Sequence, residues 1–194
     1  MYFQHQAKSD MLPPKKTLNK NIQVRLASNN DLETISDLYK KEMSFHEQFD
    51  PLFALSEEFN GVTYFSRFIE NSENLILVAE ETGKIIGYIH IRILKEKAQK
   101  NKLKWAKFKK IWLRGKKTSP RFNIRWGYVA DCFVESKYRQ QGIGSLLLEK
   151  SVEWLRSRDV PFLDLEVHCL NESGINFWRV NEFETFKLMM RKKL

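Results

Sequence analysis

A glycine-rich segment at residues 139–145 holds the residue types and spacing in this 194-residue chain that are most suggestive of chemistry. Gly142 and Gly144 lie one residue apart, between the apolar run 127–134 and an amphipathic segment that begins at Ile143. This order predicts a strand, a tight loop and a helix start. Because glycine lacks a Cβ, the loop can turn its N–H groups toward one point, beside the positive end of the helix dipole. The segment therefore predicts a binding site for a phosphate or diphosphate.

The elements that would position this loop can be read from the spacing of apolar and turn-forming residues. Ser28 followed by Asp31 predicts a helix start, with the acid in place of the usual Glu of a capping box. A glycine turn at 82–84 between two apolar runs predicts an antiparallel hairpin. The expected strands lie at 21–26, 75–79, 85–94, 128–134, 161–167 and 183–190, and the expected helices at 28–43, 57–69, 142–157 and 171–180.

The segments on either side of the glycine loop have the lengths of a strand, crossover helix and parallel strand. The hairpin upstream is antiparallel, so the sheet is expected to be mixed. Helices are expected on both of its faces, which gives an α/β fold class.

Composition sets limits on the class of protein. With 42% hydrophobic and 13% aromatic residues, the chain can bury a core. No apolar run approaches the roughly 20 residues of a membrane-spanning helix, and the opening Met1 to His5 has no apolar signal core. We therefore expect a cytoplasmic protein, in which residues 1–20 are a flexible lead or tag remnant and residues 21–194 form a single domain.

Residues that could bind a metal are few and scattered. Cys132 and Cys169 lie in or beside apolar runs, which is typical of small buried side chains, and the four histidines show no ligand spacing. The sequence therefore predicts no metal site.

The positive charge is concentrated in one segment. Residues 95–126 hold 13 Lys and Arg against Glu96 alone, although the whole chain has a formal net charge of only +9. Trp105, Phe108 and Trp112 fall at the spacing of one helix face. We expect a basic helical insertion at about 95–120, which either packs through its aromatics with a solvated cationic face, covers a cleft, or meets an anionic lipid, nucleic acid or protein surface.

Several segments together resemble the GNAT superfamily of acetyl-coenzyme A-dependent N-acetyltransferases, over about residues 22–190. The similar segments are 24–32 and 77–89, which resemble the family's amino-terminal half, 133–145, which resembles its strand end and Arg/Gln-x-x-Gly-x-Gly/Ala pyrophosphate loop, and 163–183, which resembles its next strand and Asn-containing helix. The resemblance implies a mostly antiparallel central sheet flanked by helices, with a splayed parallel strand pair. It also implies acetyl-CoA as cosubstrate, without a metal.

The resemblance assigns cosubstrate contacts to two walls of a cleft. The splayed strand would pair with the pantetheine arm, the loop would donate to the pyrophosphate, and an asparagine would contact the coenzyme from the opposite wall, or cap a helix, or both. The residues concerned are Cys132, Phe133, Val134, Arg139, Gln140, Gln141, Gly142, Ile143, Gly144, Ser145 and Asn171.

Acetyl transfer to an amine needs a base, because an alkylammonium has a pKa near 10. Glu166 matches a position that some family members use, and burial there would make it a better acceptor of protons. The alternative is a strand residue paired with a basic side chain, and Asp131 on the preceding strand is the substitute base.

Trp178 stands where the family commonly has a tyrosine that protonates the departing thiolate. An indole N–H can donate a hydrogen bond but is not an acid at neutral pH. Either hydrogen bonding alone stabilises the thiolate, or Tyr128 or Tyr138 supplies the proton, or transfer is weak, or Trp178 only packs. Glu182 also replaces the motif's usual glycine.

The sequence thus predicts an N-acetyltransferase that moves an acetyl group from acetyl-CoA directly to a primary amine of a small molecule or peptide. Two alternatives stay open: a catalytically weakened acyl-CoA-binding module, and a nucleic-acid- or membrane-associated member that acts through the basic insertion. The family's habit suggests a homodimer, and the insertion suggests an anionic partner.

Overall fold

The computed structural model describes residues 21–96 and 124–192. Most of the basic segment expected at 95–120 lies outside these residues. Five strands form one sheet in the order β1-β2-β3-β4-β5. The strands are β1 (Ile22–Leu26), β2 (Asn74–Glu81), β3 (Lys84–Glu96), β4 (Ile124–Val134) and β5 (Leu163–Asp164), and the helices are α1 (Leu32–Glu47), α2 (Gly61–Ile69), α3 (Ile143–Arg156) and α4 (Glu172–Val180).

Strands β1 to β4 are antiparallel neighbours, and β5 is parallel to β4. The hairpin between β2 and β3 turns at Thr82 and Gly83, both with positive φ, as a tight hairpin turn requires. The capping box at Ser28 and Asp31 is also present, just before α1. These local predictions from the sequence are confirmed.

The sheet separates two apolar cores, because successive side chains of a strand point to opposite faces. On β3, Ile89 and Ile91 pack with α3, whereas Tyr88 packs with Leu38 of α1 and Phe65 of α2. The helices therefore cover both faces, and the mixed α/β fold class is confirmed.

The parallel pair β4–β5 separates after two residue pairs. Only Gly127↔Leu163 and Tyr128↔Asp164 are in register, while β4 continues to Val134. A bulge in β4 accompanies the separation, since His90 faces Asp131 and the next residue of β3, Ile91, faces Val129. The expected splayed pair is confirmed, and β4 has an edge that β5 does not cover.

Two strand predictions need correction. The strand expected at 161–167 shortens to two residues, because its partner diverges. Residues 183–192, which the structure describes, contain no strand. Phe186 and Leu188 are 87% and 80% exposed, and Arg191 of this segment pairs with Asp50, which precedes a 3₁₀ turn at Pro51–Phe53. Alternating apolar residues alone are not enough to make a strand when no sheet edge pairs with them.

Among the helices of residues 21–96 and 124–192, none combines the length and apolar character that crossing a membrane requires.

Candidate active site

The N-terminus of α3 follows a left-handed turn. Gly142 has φ 83° and ψ 0°, and Gln140 has φ 60°. The main-chain N–H of Leu146 donates to the carbonyl oxygen of Gly142 at 3.0 Å, so the N–H groups of Ile143 to Ser145 precede the first helical hydrogen bond. Gly142, as N-cap, has no side chain to accept from them. These donors point outward at the positive end of α3, as the sequence predicts.

Gly144 has a different role from Gly142. A Cβ on Gly144 would lie 3.0 Å from the ring of Phe177. The absence of a side chain therefore lets α4 approach α3 closely. The sequence analysis gave both glycines to the anion loop, but only Gly142 has the positive φ of the turn.

Cationic side chains surround the start of this loop. The guanidinium of Arg139 lies 5.5 Å from the ring centroid of Phe45 and 5.3 Å from that of Phe133, and its Nε donates to the carbonyl oxygen of Val134 at 2.9 Å. Lys137 lies over the ring of Tyr138. Arg139 therefore ties the end of β4 to α1.

The open edge of β4 is occupied by side chains. The N–H of Glu135 donates to the carbonyl oxygen of Ile86 on β3. Because main-chain groups alternate along a strand, the N–H and C=O groups of Val134 and Cys132 point away from β3, toward the open edge. Arg139 binds the carbonyl oxygen of Val134, and the carboxylate of Glu42 accepts from the N–H of Cys132 at 3.2 Å. The main-chain groups on this edge are therefore paired with side chains from α1 and from the loop.

Asp131 lies in a buried chain of polar groups. Its Oδ2 lies 3.1 Å from Nδ1 of His90, whose Nε2 lies 3.0 Å from Oδ1 of Asn74. His90 is fully buried beneath Phe68. This chain fixes the Asp131 carboxylate on the face of the sheet that α1 and α2 cover.

Glu166 is exposed, so the burial expected from the sequence is absent. Burial raises the pKa of the Tyr128 phenol, and the charge of Glu166 raises it further. Glu166 is therefore close enough to Tyr128 for its charge to act on the phenol. The role of Glu166 as a base stays a prediction.

The sequence analysis missed Glu42, a carboxylate on the buried side of α1. Oε2 of Glu42 accepts from the hydroxyl of Tyr88 at 2.6 Å. Burial raises the pKa of Glu42, and the charge of Asp131 contributes. The contact with His46 opposes the shift most strongly, followed by the hydrogen bonds from Tyr88 and the Cys132 N–H. A signal was available in the sequence, because Glu42 lies four residues after Leu38 in the apolar stripe of α1.

The thiol of Cys132 is poorly suited to act as a nucleophile. Burial raises its pKa, and the charges of Glu42 and Asp131 raise it further. A thiol that holds its proton reacts slowly. Cys169 is exposed, which corrects the expectation that both cysteines are buried.

Helix α4 supplies the remaining predicted residues. Asn171 caps it, with Oδ1 accepting from the N–H of Gly174 at 2.9 Å. The ring of Trp178 lies 4.7 Å from Phe177 and 5.3 Å from Phe183, against the core that α3 covers. Asn171 thus has the contacts of a helix cap and Trp178 those of a packing residue. The role of Asn171 in binding the cosubstrate and that of Trp178 in catalysis stay predictions.

Within residues 21–96 and 124–192, no group of three or more His, Cys, Asp or Glu side chains could hold a metal ion.

The fold matches proteins of known structure. A mutant of the BH1408 protein from Bacillus halodurans superposes with a TM-score of 0.72 at 19% identity, over 89% of this chain and 99% of that one. A predicted acetyltransferase from Clostridium acetobutylicum, solved with acetyl-CoA, superposes with a TM-score of 0.62 at 16% identity, over 89% and 96% of the two chains. At these identities the likeness shows a shared fold.

Two sequence comparisons go further. An N-alpha-acetyltransferase from Sulfurisphaera tokodaii is 27% identical over 127 residues, which are 65% of this chain and 66% of that relative. The alignment thus spans slightly less than two thirds of the relative's length. The model of the acetyltransferase (GNAT) family matches residues 32–183. The chain therefore belongs to the GNAT acetyltransferase family.

Proposed function

We propose that this protein is an acyltransferase that moves an acetyl group from acetyl-CoA to a primary amine. The observation that carries the proposal is the open edge of β4 beside the outward-facing N–H groups of α3. Together they offer an extended edge for an amide-rich arm and a positive helix end for a diphosphate.

The cosubstrate would lie along this edge. Its pyrophosphate would meet the N–H groups that follow Gln141, with Gln140 and Arg139 beside it. Its pantetheine arm would pair with Cys132 to Val134 and displace the side chains now bonded there. Asn171 would contact the coenzyme from the α4 side.

The chemistry needs a proton acceptor and a proton donor. Three carboxylates on or near β4 are candidates for the proton acceptor: Glu166, Asp131 and Glu42. For the departing thiolate, Tyr128 is a better proton donor than Trp178, because a phenol can give up its proton whereas an indole N–H is not an acid in this range. Burial and the charge of Glu166 raise the pKa of Tyr128, which opposes this transfer. Trp178 would contribute packing or a hydrogen bond.

The acceptor is best sought first among peptide α-amines. The Sulfurisphaera tokodaii relative is an N-alpha-acetyltransferase, which supports this choice. An α-amine has a pKa of about 7.7–8.0 and is more easily deprotonated than a lysine side chain. Small-molecule amines form the second group to test.

The test is turnover of acetyl-CoA with a panel of amines, measured as release of the coenzyme thiol. We expect thiol release that depends on the amine and an acetylated product of matching mass. Tight binding of acetyl-CoA without thiol release from any acceptor would contradict the proposal and favour a binding module.

A cytoplasmic location, a homodimer and an anionic partner for residues 95–120 belong to the same proposal. Light scattering tests the dimer. Salt-dependent binding to anionic vesicles or nucleic acid tests the partner, since electrostatic capture weakens steeply with salt.

A further inference from the structure

Helix α1 and the residues just after it contact both β4 and the segment that follows β5. Glu42 on α1 accepts from the N–H of Cys132 on β4. Phe49, two residues beyond the end of α1, stacks its ring on His168, which follows β5, with ring centroids 5.7 Å apart and planes at 17°. The last two turns of α1 therefore lie over the open edge of β4, and they bring the Glu42 carboxylate to it.

His46 follows Glu42 by one helical turn. Its Nε2 lies 3.9 Å from Oε1 of Glu42, an ion-pair distance rather than a hydrogen bond. Its Nδ1 is buried and has no hydrogen-bond partner among the residues that the structure describes. The side chain is 23% exposed, so the imidazole connects the buried carboxylate to the surface.

A buried nitrogen without a hydrogen-bond partner destabilises the fold, and a catalytic role is one reason for which such a group is kept. The ring of His46 is held by Phe45 and Phe53, at centroid distances of 5.7 and 5.3 Å. The packing therefore fixes the imidazole next to Glu42 although it leaves Nδ1 unbonded.

We propose that Glu42 takes the proton from the acceptor amine and that His46 passes this proton to solvent. The inference rests on the proposed function and deepens it by naming the base. On this proposal the base is Glu42, and neither the exposed Glu166 nor Asp131, which lies against His90, has that role.

The reaction balances as follows. The alkylammonium gives one proton to Glu42, and the neutral nitrogen attacks the thioester carbonyl. The C–N bond forms, the C–S bond breaks, and its electron pair leaves on sulfur. The nitrogen loses a second proton, which neutralises the thiolate. The first proton passes from Glu42 to Nε2 of His46, the nitrogen that faces it, and leaves to solvent from the same nitrogen, because Nδ1 is buried.

Burial suits Glu42 to this role, because a base works best when its pKa approaches the working pH. Five groups face it: Tyr39 and His46 on α1, Tyr88 on β3, and Asp131 and Cys132 on β4. Among them, the charge of Asp131 raises the pKa of Glu42, whereas the contact with His46 and the hydrogen bonds from Tyr88 and Cys132 lower it.

The test compares Glu42→Gln with wild type by steady-state kinetics over a range of pH. We expect kcat/KM for the amine to fall about 10²- to 10⁴-fold, with an unchanged KM for acetyl-CoA. In the plot of kcat/KM against pH, the fall at low pH that is due to protonation of Glu42 should disappear. The ratio of the two profiles cancels the ionisation of the amine. Glu47→Gln, the same change at an exposed position of α1, should leave the kinetics unchanged.

A second variant keeps the test decisive if Glu42→Gln fails to fold. His46→Ala should lose activity that free imidazole in the buffer restores, since imidazole can fill the vacated space. If His46 had only a packing role, pyrazole, a ring of the same size that takes up no proton near neutral pH, would rescue the variant as well as imidazole does.

Full activity and an unchanged pH profile in Glu42→Gln, with the loss appearing in Glu166→Gln or Asp131→Asn, would overturn the inference and leave the proposed function intact. Absence of His46→Ala rescue would overturn the proton path. Wild-type protein that releases no thiol with any amine would instead refute the proposed function.

Discussion

Glu42 shows how one residue can be held between two protonation states. Burial and the neighbouring Asp131 favour the neutral acid, while the contact with His46 and the donors from Tyr88 and Cys132 favour the carboxylate. A carboxylate in this position can accept and release a proton without large rearrangement. The shortest of the hydrogen bonds that favour the carboxylate comes from the hydroxyl of Tyr88, which is 2.6 Å away.

Replacing Tyr88 with Phe removes that donor and little else, because Tyr88 is completely buried among apolar neighbours. The ionised form of Glu42 loses stabilisation, so the pKa of Glu42 should rise. A base must be deprotonated to work, and the acidic limb of kcat/KM should therefore move to higher pH, by about one unit for each 1.4 kcal/mol lost. A limb that stays in place or moves to lower pH would contradict the assignment of this limb to Glu42.

The sequence predicted some individual residues better than others. Gly142 and Asn171 could be found because each lies at an element boundary whose backbone needs it. Glu42 was missed because its function depends on contacts with β3 and β4, which are 46 and 90 residues away along the chain. Its only local trace is a charged residue in an apolar stripe.

At the scale of elements, the end of α4 carries a backbone strain that can be measured. Glu182 has φ 68°, and the N–H groups of Glu182 and Phe183 donate to the carbonyl oxygens of Arg179 and Trp178. This is a Schellman motif, in which glycine is favoured at the left-handed position. The rings of Trp178 and Phe183 supply the accompanying apolar contact.

Glu182→Gly should therefore raise the free energy of unfolding by about 1 kcal/mol, because a side chain in the left-handed region costs about 1–2 kcal/mol and glycine's greater freedom when unfolded offsets part of it. Urea unfolding measures the change. Glu184→Gly, the same change two residues later where φ is not positive, should give no gain. Equal changes in unfolding free energy for the two substitutions would show that the backbone at Glu182 is not strained.

The start of α1 makes stability depend on pH. The carboxylate of Asp31 accepts two hydrogen bonds from the guanidinium of Arg25, at 2.8 and 2.9 Å, and two more from Ser28. The bonds from Arg25, against the opposing effect of burial, lower the pKa of Asp31 to about 2. A lowered pKa contributes stability above the unfolded value of 3.8, and this stability is lost as the pH falls toward 2.

Asp31→Asn should cost about 1–2 kcal/mol of unfolding free energy at pH 7, a figure reduced for the solvent exposure of Arg25. The difference in unfolding free energy between the variant and wild type should become smaller between pH 4 and pH 2, as measured by urea unfolding. Asp37→Asn, at an exposed ion pair on the same helix, serves as control and should change little. A gap that is constant across this range would contradict the linkage.

Elements with a strong local signal were predicted well, and elements that depend on a distant partner were not. The hairpin β2–β3 and helix α3 carry their own turn and periodicity. The strand expected at 183–190 has the alternation but no edge to pair with, and β5 is short because β4 diverges from it. Strand pairing is a property of two segments, so one segment cannot specify it.

At the scale of the whole molecule, the sheet connects the two halves of the site. The core under α3 sets the anion loop, and the core under α1 and α2 sets the buried acids, while β4 belongs to both through Val129 and Phe133. A ligand that bridges the α3 N-terminus and the edge of β4 would join elements from both faces. Its binding should therefore stabilise the folded molecule as a unit.

Acetyl-CoA at 100 times its Kd should add about 2.7 kcal/mol to the stability of wild type, which raises Tm by about 5–10 °C for a chain of this size. Gly142→Val should abolish this shift, because a β-branched residue does not tolerate φ 83° and the loop must rearrange. Gly83→Val is the matched control, since Gly83 has φ 82° in the hairpin turn, with open space around it. Both variants should be less stable alone, but only Gly83→Val should keep the shift in differential scanning calorimetry. The two variants carry the same kind of backbone strain, so only the position of the substitution differs. If acetyl-CoA raised Tm equally in both, the anion loop would have no part in binding and acetyl-CoA would be held elsewhere.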